Sequence, residues 1–219
     1  MSTLILIIGN KNYSSWSLRP WIFMKTAGIE FMEKRIPLYT DQTPGLLEPY
    51  FSNHKVPVLI DDELIIWDSI AILEYLAEKY PNAGGWPKDS NARAIARSVS
   101  AEMHSSFLAL RSSLPMNCRK KFSNFNVQAD AQADINRIKK IWAFCKKKFG
   151  QNGPWLFGNF CIADAMFAPV AMRFDGYGVL LSGIEKEYVD ATLANTHLID
   201  WIDAARMETE IIAASEVKV

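Results

Sequence analysis

The sequence predicts a small α/β unit followed by an all-helical one. Within the first 80 residues, short β-branched runs alternate with helical stretches on either side of a proline-marked connection. Gly84, Gly85 and Pro87 then cluster as a linker. From Asn91 onward no convincing strand pattern appears, while apolar residues recur at one-turn spacing.

Residues 4–9 are continuous, β-branched and short, which predicts a fully buried strand. Residues 17–27 read as a helix stopped by Gly28, and residues 33–38 as a second strand. The segment DQTPGLLEPYFSN, residues 41–53, carries two prolines and predicts an irregular connection with one helical turn. Residues 56–67, VPVLIDDELIIW, have hairpin length around an Asp61-Asp62 turn. In residues 69–80, Ile70, Leu73, Ala77 and Tyr80 share helical spacing, and Pro81 ends the run. The order is βαβ–ββα over residues 1–80, a linker over 81–90, and helices over 91–219. Among the helices, Ile95, Val99, Met103 and Phe107 form one stripe. Ile135, Ile138, Trp142, Cys145 and Phe149 form another, with Lys146, Lys147 and Lys148 where the helix dipole favours cations. Residues 162–175 and 198–206 are also expected to be helical.

Composition narrows the function. Hydrophobic residues make up 49% and charged residues 22% of 219, so the chain can bury a core in one large or two small domains. Lys plus Arg and Asp plus Glu are 24 each, which removes the basic excess that a nucleic-acid partner normally needs. No apolar run approaches the roughly 20 residues of a membrane span. The first run breaks at Gly9 without a basic flank, so no signal peptide is expected. Cys118, Cys145 and Cys161 are odd in number and far apart, making neither a disulfide framework nor a metal cluster. A reduced, cytoplasmic setting without a metal is the expectation.

Three spots carry chemistry. In NYSSWSLRPW, residues 12–21, Ser14 and Ser15 stand where the first strand gives way to a helix. The plain reading is an N-cap; the sharper one is a hydroxyl that donates to an anion. If that anion is a thiolate, its pKa falls from a cysteine-like value of about 8.5. A two-unit fall is roughly 2.7 kcal/mol, within reach of a charge-assisted hydrogen bond plus the helix dipole. Val56-Pro57 opens a strand with a residue that cannot donate to the ladder. It is either a trans proline at an edge, or a cis proline that turns the Val56 backbone toward a peptide-like ligand. Trp67-Asp68-Ser69 is either a helix cap or a place for a ligand carboxylate and ammonium. A serine–histidine–acid triad is not expected, because His54, His104 and His197 sit in no triad context and no G-x-S-x-G elbow exists.

Together these motifs resemble the glutathione transferase superfamily over nearly the whole chain. SSWSLR, residues 14–19, is similar to the SSCSWR of its zeta class, the maleylacetoacetate isomerases. HKVPVL and DSIAILEYL match its Val-cisPro and acid-Ser elements, and GNFCIADAMFAPV, residues 158–170, resembles its buried-helix signature. The resemblance implies a thioredoxin-like glutathione-binding domain followed by a helical bundle domain, and a cytoplasmic homodimer acting in detoxification. Glutathione is the implied co-substrate and a small electrophile the second substrate. Ser14 or Ser15 is the implied thiolate-stabilising hydroxyl. Val56 beside cis Pro57 is the backbone partner of the cysteinyl unit. Asp68 and Ser69 hold the γ-glutamyl end, Lys55 meets the glycyl carboxylate, and Gln42 is a further candidate. Trp16, Met103, Ser106, Phe107, Arg111 and Tyr177 are the implied second-substrate wall. Core packing is the favoured reading of Met103 and Phe107 and at least as good a reading of Trp16. Arg111 and Tyr177 are the better candidates, because a buried guanidinium or phenol needs a partner. Two positions depart from the pattern. Trp16 stands at the zeta cysteine, and Cys161 stands where Ser or Thr caps a helix, so that cap is expected to be weaker or to use Asn159. Phe51 and Trp86 are the expected interface aromatics. The reading is a glutathione transferase performing conjugation or isomerisation. The alternatives are a maleylacetoacetate isomerase and a non-catalytic partnering module.

Overall fold

The structure is a computed structural model that describes residues 3–217. Its first part is β1 (Ile5–Ile8), α1 (Ser15–Thr26), β2 (Met32–Arg35), α2 (Thr43–Leu47), β3 (Val58–Asp61), β4 (Leu64–Trp67) and α3 (Ser69–Lys79). The sheet order is β2-β1-β3-β4, with β1 parallel to β2 and antiparallel to β3, and β3 antiparallel to β4. This is a thioredoxin-like arrangement. The β3–β4 turn closes through Asp62 in the left-handed region at φ 53°. The second strand is shorter than residues 33–38. Ile36 still donates to Ile8 O at 2.8 Å, but Pro37 has no N–H to continue the ladder. As an exposed edge, β2 carries Glu33, Lys34 and Arg35, charges that discourage further strand pairing.

Strand alternation divides the apolar residues between two faces. Leu6 and Ile8 join a core that continues through the helical part to Trp201, while Ile7 packs with Ile36, Leu47, Tyr50 and Val58 on the opposite face. The helices that follow are α4 (Ser90–Ser105), α5 (Leu108–Ser113), α6 (Ala129–Phe149), α7 (Ile162–Gly176), α8 (Gly183–Leu193) and α9 (Thr196–Arg206). α7 is buried along nearly all its length and packs against α1 and α4. In the connection between α3 and α4, a Cβ on Gly85 would meet the Ala77 Cβ at 2.7 Å, so only glycine allows that approach. Trp86 lies half-buried there and donates its indole N–H to Glu74 Oε2 at 3.0 Å.

The structure corrects two expectations. The stripe from Ile95 to Phe107 is not one helix, because Phe107 adopts φ 64° and starts α5. An aromatic residue there is strained, and burial of its ring to 5% exposure opposes that cost. The cap of α7 does not use Asn159, which is exposed. Asp164 instead accepts from the Cys161 and Leu156 N–H groups, both at 3.0 Å.

Two buried N–H groups therefore depend on one carboxylate. Asp164→Ala is expected to lower stability by about 2–4 kcal/mol, read as a lower urea midpoint, with Asp164→Asn losing less. A wild-type midpoint in the alanine variant would show that other groups take over both bonds.

Candidate functional site

A cavity of about 870 Å³ opens where the loops after β1, before β3 and after β4 converge. Ser14, Ser15, Lys55, Val56, Pro57, Asp68 and Ser69 all line it, as does Trp16. The Val56–Pro57 bond is cis. Lys55 is exposed at the rim, whereas Ser69 is 1% exposed on the floor. Gln42 is exposed and lies outside the lining.

The two serines are held differently. Ser14 is the N-cap of α1; its Oγ accepts from the Ser17 N–H at 3.4 Å and donates to Ser17 Oγ at 2.7 Å. Ser17 Oγ in turn accepts from the Gly9 N–H at 3.1 Å, which ties the helix start to the end of β1. Ser15 Oγ accepts from Arg173 Nη2 at 3.2 Å. A guanidinium only donates, so that bond leaves the Ser15 proton uncommitted.

Beneath the serines lies buried positive charge. Arg19 is fully buried, with Nη1 at 3.5 Å from Ser69 Oγ and its guanidinium carbon 4.1 Å from the Trp16 ring centroid. Its Nε has no partner among the described residues. Burial pulls its pKa well down, Arg111 and Arg173 add to this, and Asp68 opposes it. Burial likewise pushes Arg173 down to about 10, which leaves it charged at neutral pH. Asp68 caps α3 from φ 75°: Oδ1 accepts from Ile70 N–H at 2.9 Å, and Oδ2 lies 3.2 Å from His104 Nε2.

The expected second-substrate wall does not assemble. Of Trp16, Met103, Ser106, Phe107, Arg111 and Tyr177, Trp16 alone lines the cavity. Met103 and Phe107 are core residues at 1% and 5% exposure. Arg111 donates to the carbonyls of Met103 and Ser106, satisfying the end of α4. Tyr177 donates to Pro115 O at 2.9 Å and stacks on Phe122. Tyr13, Ile212 and Ser215 line the cavity without having been expected. The segment bearing the last two is anchored beside the serines: Glu208 accepts from the N–H groups of Lys11 and Asn12, and Glu216 Oε1 accepts from Tyr13 at 2.6 Å. Aromatic Tyr13 beside the serines was a readable signal; the tail, lacking periodicity, offered none.

Residues 13–79 match the family model of the glutathione S-transferase N-terminal domain. A probable maleylacetoacetate isomerase from Caenorhabditis elegans is 26% identical over 170 residues, 77% of each chain. A dichloromethane dehalogenase from Methylophilus leisingeri is 39% identical over 66 residues, covering 29% of this chain and 25% of the dehalogenase. Among solved structures, a glutathione transferase homolog from Burkholderia with bound glutathione superposes with a TM-score of 0.69 at 24% identity. That match covers 93% of this chain and 98% of the other, and shows the fold. Residues 13–79 thus form a glutathione S-transferase N-terminal domain, and most of the chain is similar to a probable maleylacetoacetate isomerase.

Proposed function

We propose that the chain is a glutathione transferase that binds glutathione in this cavity and stabilises its thiolate through a serine hydroxyl at the start of α1. The observation that carries this reading is the convergence on one cavity of the serine pair, Val56 before cis Pro57, and Asp68-Ser69. The sulfur attacks a small electrophile, while Asp68 and Ser69 hold the γ-glutamyl ammonium and carboxylate and Lys55 meets the glycyl end. Residues 1–80 are the glutathione-binding domain, 81–90 the linker and 91–219 the helical domain. The setting is cytoplasmic and the role detoxification. The nematode relative favours maleylacetoacetate isomerisation as the second reading. Trp16, which cannot act as a thiol, favours conjugation. A partnering module has no need of the serine pair and acid-serine step, both of which line the cavity. For the homodimer the supporting residue is Phe51, 80% exposed and edge-on to the 45% exposed Trp67 at 5.4 Å. Trp86 is held on its own chain and is withdrawn from that role.

Glutathione at millimolar concentration is expected to raise the melting temperature. The Ser14→Ala/Ser15→Ala double variant should return the thiol pKa of bound glutathione toward about 8.5, followed by thiolate absorbance against pH. An unchanged titration removes serine from the mechanism.

Asp68→Ala and Ser69→Ala should leave that titration in place and weaken binding roughly ten- to hundredfold by calorimetry. Wild-type affinity in both would reduce the pair to a helix cap.

Light scattering at micromolar concentration is expected to give twice the 24.8 kDa chain mass. A monomeric mass, or a Phe51→Ser variant that stays dimeric, removes Phe51 from the interface.

A further inference from the structure

We propose that His104 is a positioning residue for Asp68 that makes capture of the ligand ammonium pH-dependent. This rests on the reading of the cavity as a glutathione site. His104 stands at the end of α4, across the boundary from α3, and its Nε2 lies 3.2 Å from Asp68 Oδ2. Asp68 Oδ1 is committed to the first N–H groups of α3, so Oδ2 is the oxygen that His104 steers. The ring is fixed edge-on to Trp16, with centroids 5.3 Å apart at 78°. Its Nδ1 is buried and has no partner among the described residues.

That unpartnered nitrogen defines the preferred state. As a neutral ring, His104 donates from Nε2 to the carboxylate and leaves Nδ1 as an unprotonated lone pair. Protonation puts a second N–H into a buried place with no acceptor, which opposes it. The charged groups facing the ring are Asp68 at the start of α3, Arg19 from α1 and Arg111 from α5. Burial lowers the His104 pKa first; Asp68 opposes this, and the two guanidiniums add to the lowering. The ring therefore favours its neutral state and takes up a proton only at lower pH than an ordinary histidine. Once charged, it cancels the field of Asp68 just where an ammonium must bind. By linkage, a bound ammonium must in turn lower the His104 pKa.

Glutathione binding by calorimetry from pH 5 to 8 tests this in the wild type, His104→Gln and His104→Ala. The wild-type dissociation constant should rise about tenfold toward pH 5. His104→Gln keeps a donor without a titration, so it should bind as the wild type does at pH 7.5 and stay flat with pH. His104→Ala should bind more weakly throughout. In the proton spectrum, where only three histidines contribute, the resonance lost in His104→Gln should titrate at lower pH when glutathione is saturating. A wild-type pH dependence in His104→Gln overturns the proposal alone. Absence of glutathione binding at every pH overturns it together with the function it rests on.

Discussion

Burying α1 from Ser15 to Met24, with Trp16 alone half-exposed, places a helix N-terminus and an arginine inside the molecule. Each polar group there needs a partner, because an unsatisfied buried donor or acceptor costs about 1–3 kcal/mol. The partners come from three directions. Ser17 ties the helix start to Gly9 of the preceding strand, Arg173 reaches Ser15 from α7, and Glu208 takes the Lys11 and Asn12 N–H groups from the C-terminal segment. The strand-to-helix junction is thus fixed by parts of the chain that are remote in sequence. A site built on such a junction is held by the fold itself, the condition for aiming a hydroxyl at one atom.

The same burial sets the electrostatics. Arg19, Arg111 and Arg173 influence one another, and the carboxylate among their named neighbours that acts on Arg19 is Asp68. Asp134 acts on Arg111 in the same way, so two carboxylates face three guanidiniums, and in low dielectric the remaining positive field acts more strongly than it would in water. Were a thiolate bound above Ser15, it would complete the charge balance that the protein leaves open. The hydroxyl would supply direction and the guanidiniums much of the field. Arg173 remains charged near neutral pH, so its part of the field persists there.

What was legible in the sequence was local. The βαβ–ββα order followed from short apolar runs and from Gly28, Pro57 and Pro81, and the cavity residues Ser14, Ser15, Val56, Asp68 and Ser69 stood in recognisable motifs. What failed was also local in origin. Phe107 continued the stripe of α4 in spacing, yet a left-handed backbone breaks the helix there, and periodicity does not register a change of φ. α8 has few apolar positions, Tyr188 and Val189 being the buried ones, too few to stand out. His104 was read only as a histidine outside any triad, because its partner lies on another helix. The C-terminal segment reaches the cavity through ion pairs and hydrogen bonds, which leave no periodic trace.

Trp16 shows how one side chain can shape a site without altering the fold. Its ring lies under the Arg19 guanidinium at 4.1 Å and near that of Arg111 at 4.7 Å, with His104 at its edge. Contacts of this kind contribute about 0.5–2 kcal/mol each as they are desolvated. The indole thus gives two cations a π-face where a carboxylate would have neutralised them, and the floor keeps its positive charge. A cysteine at this position could supply neither the face nor the volume. A tryptophan, equally, cannot attack a substrate or exchange sulfur. Under the proposed function, covalent chemistry in this cavity would fall to the sulfur that the ligand brings, and the protein's part would be to ionise that sulfur and hold it in place.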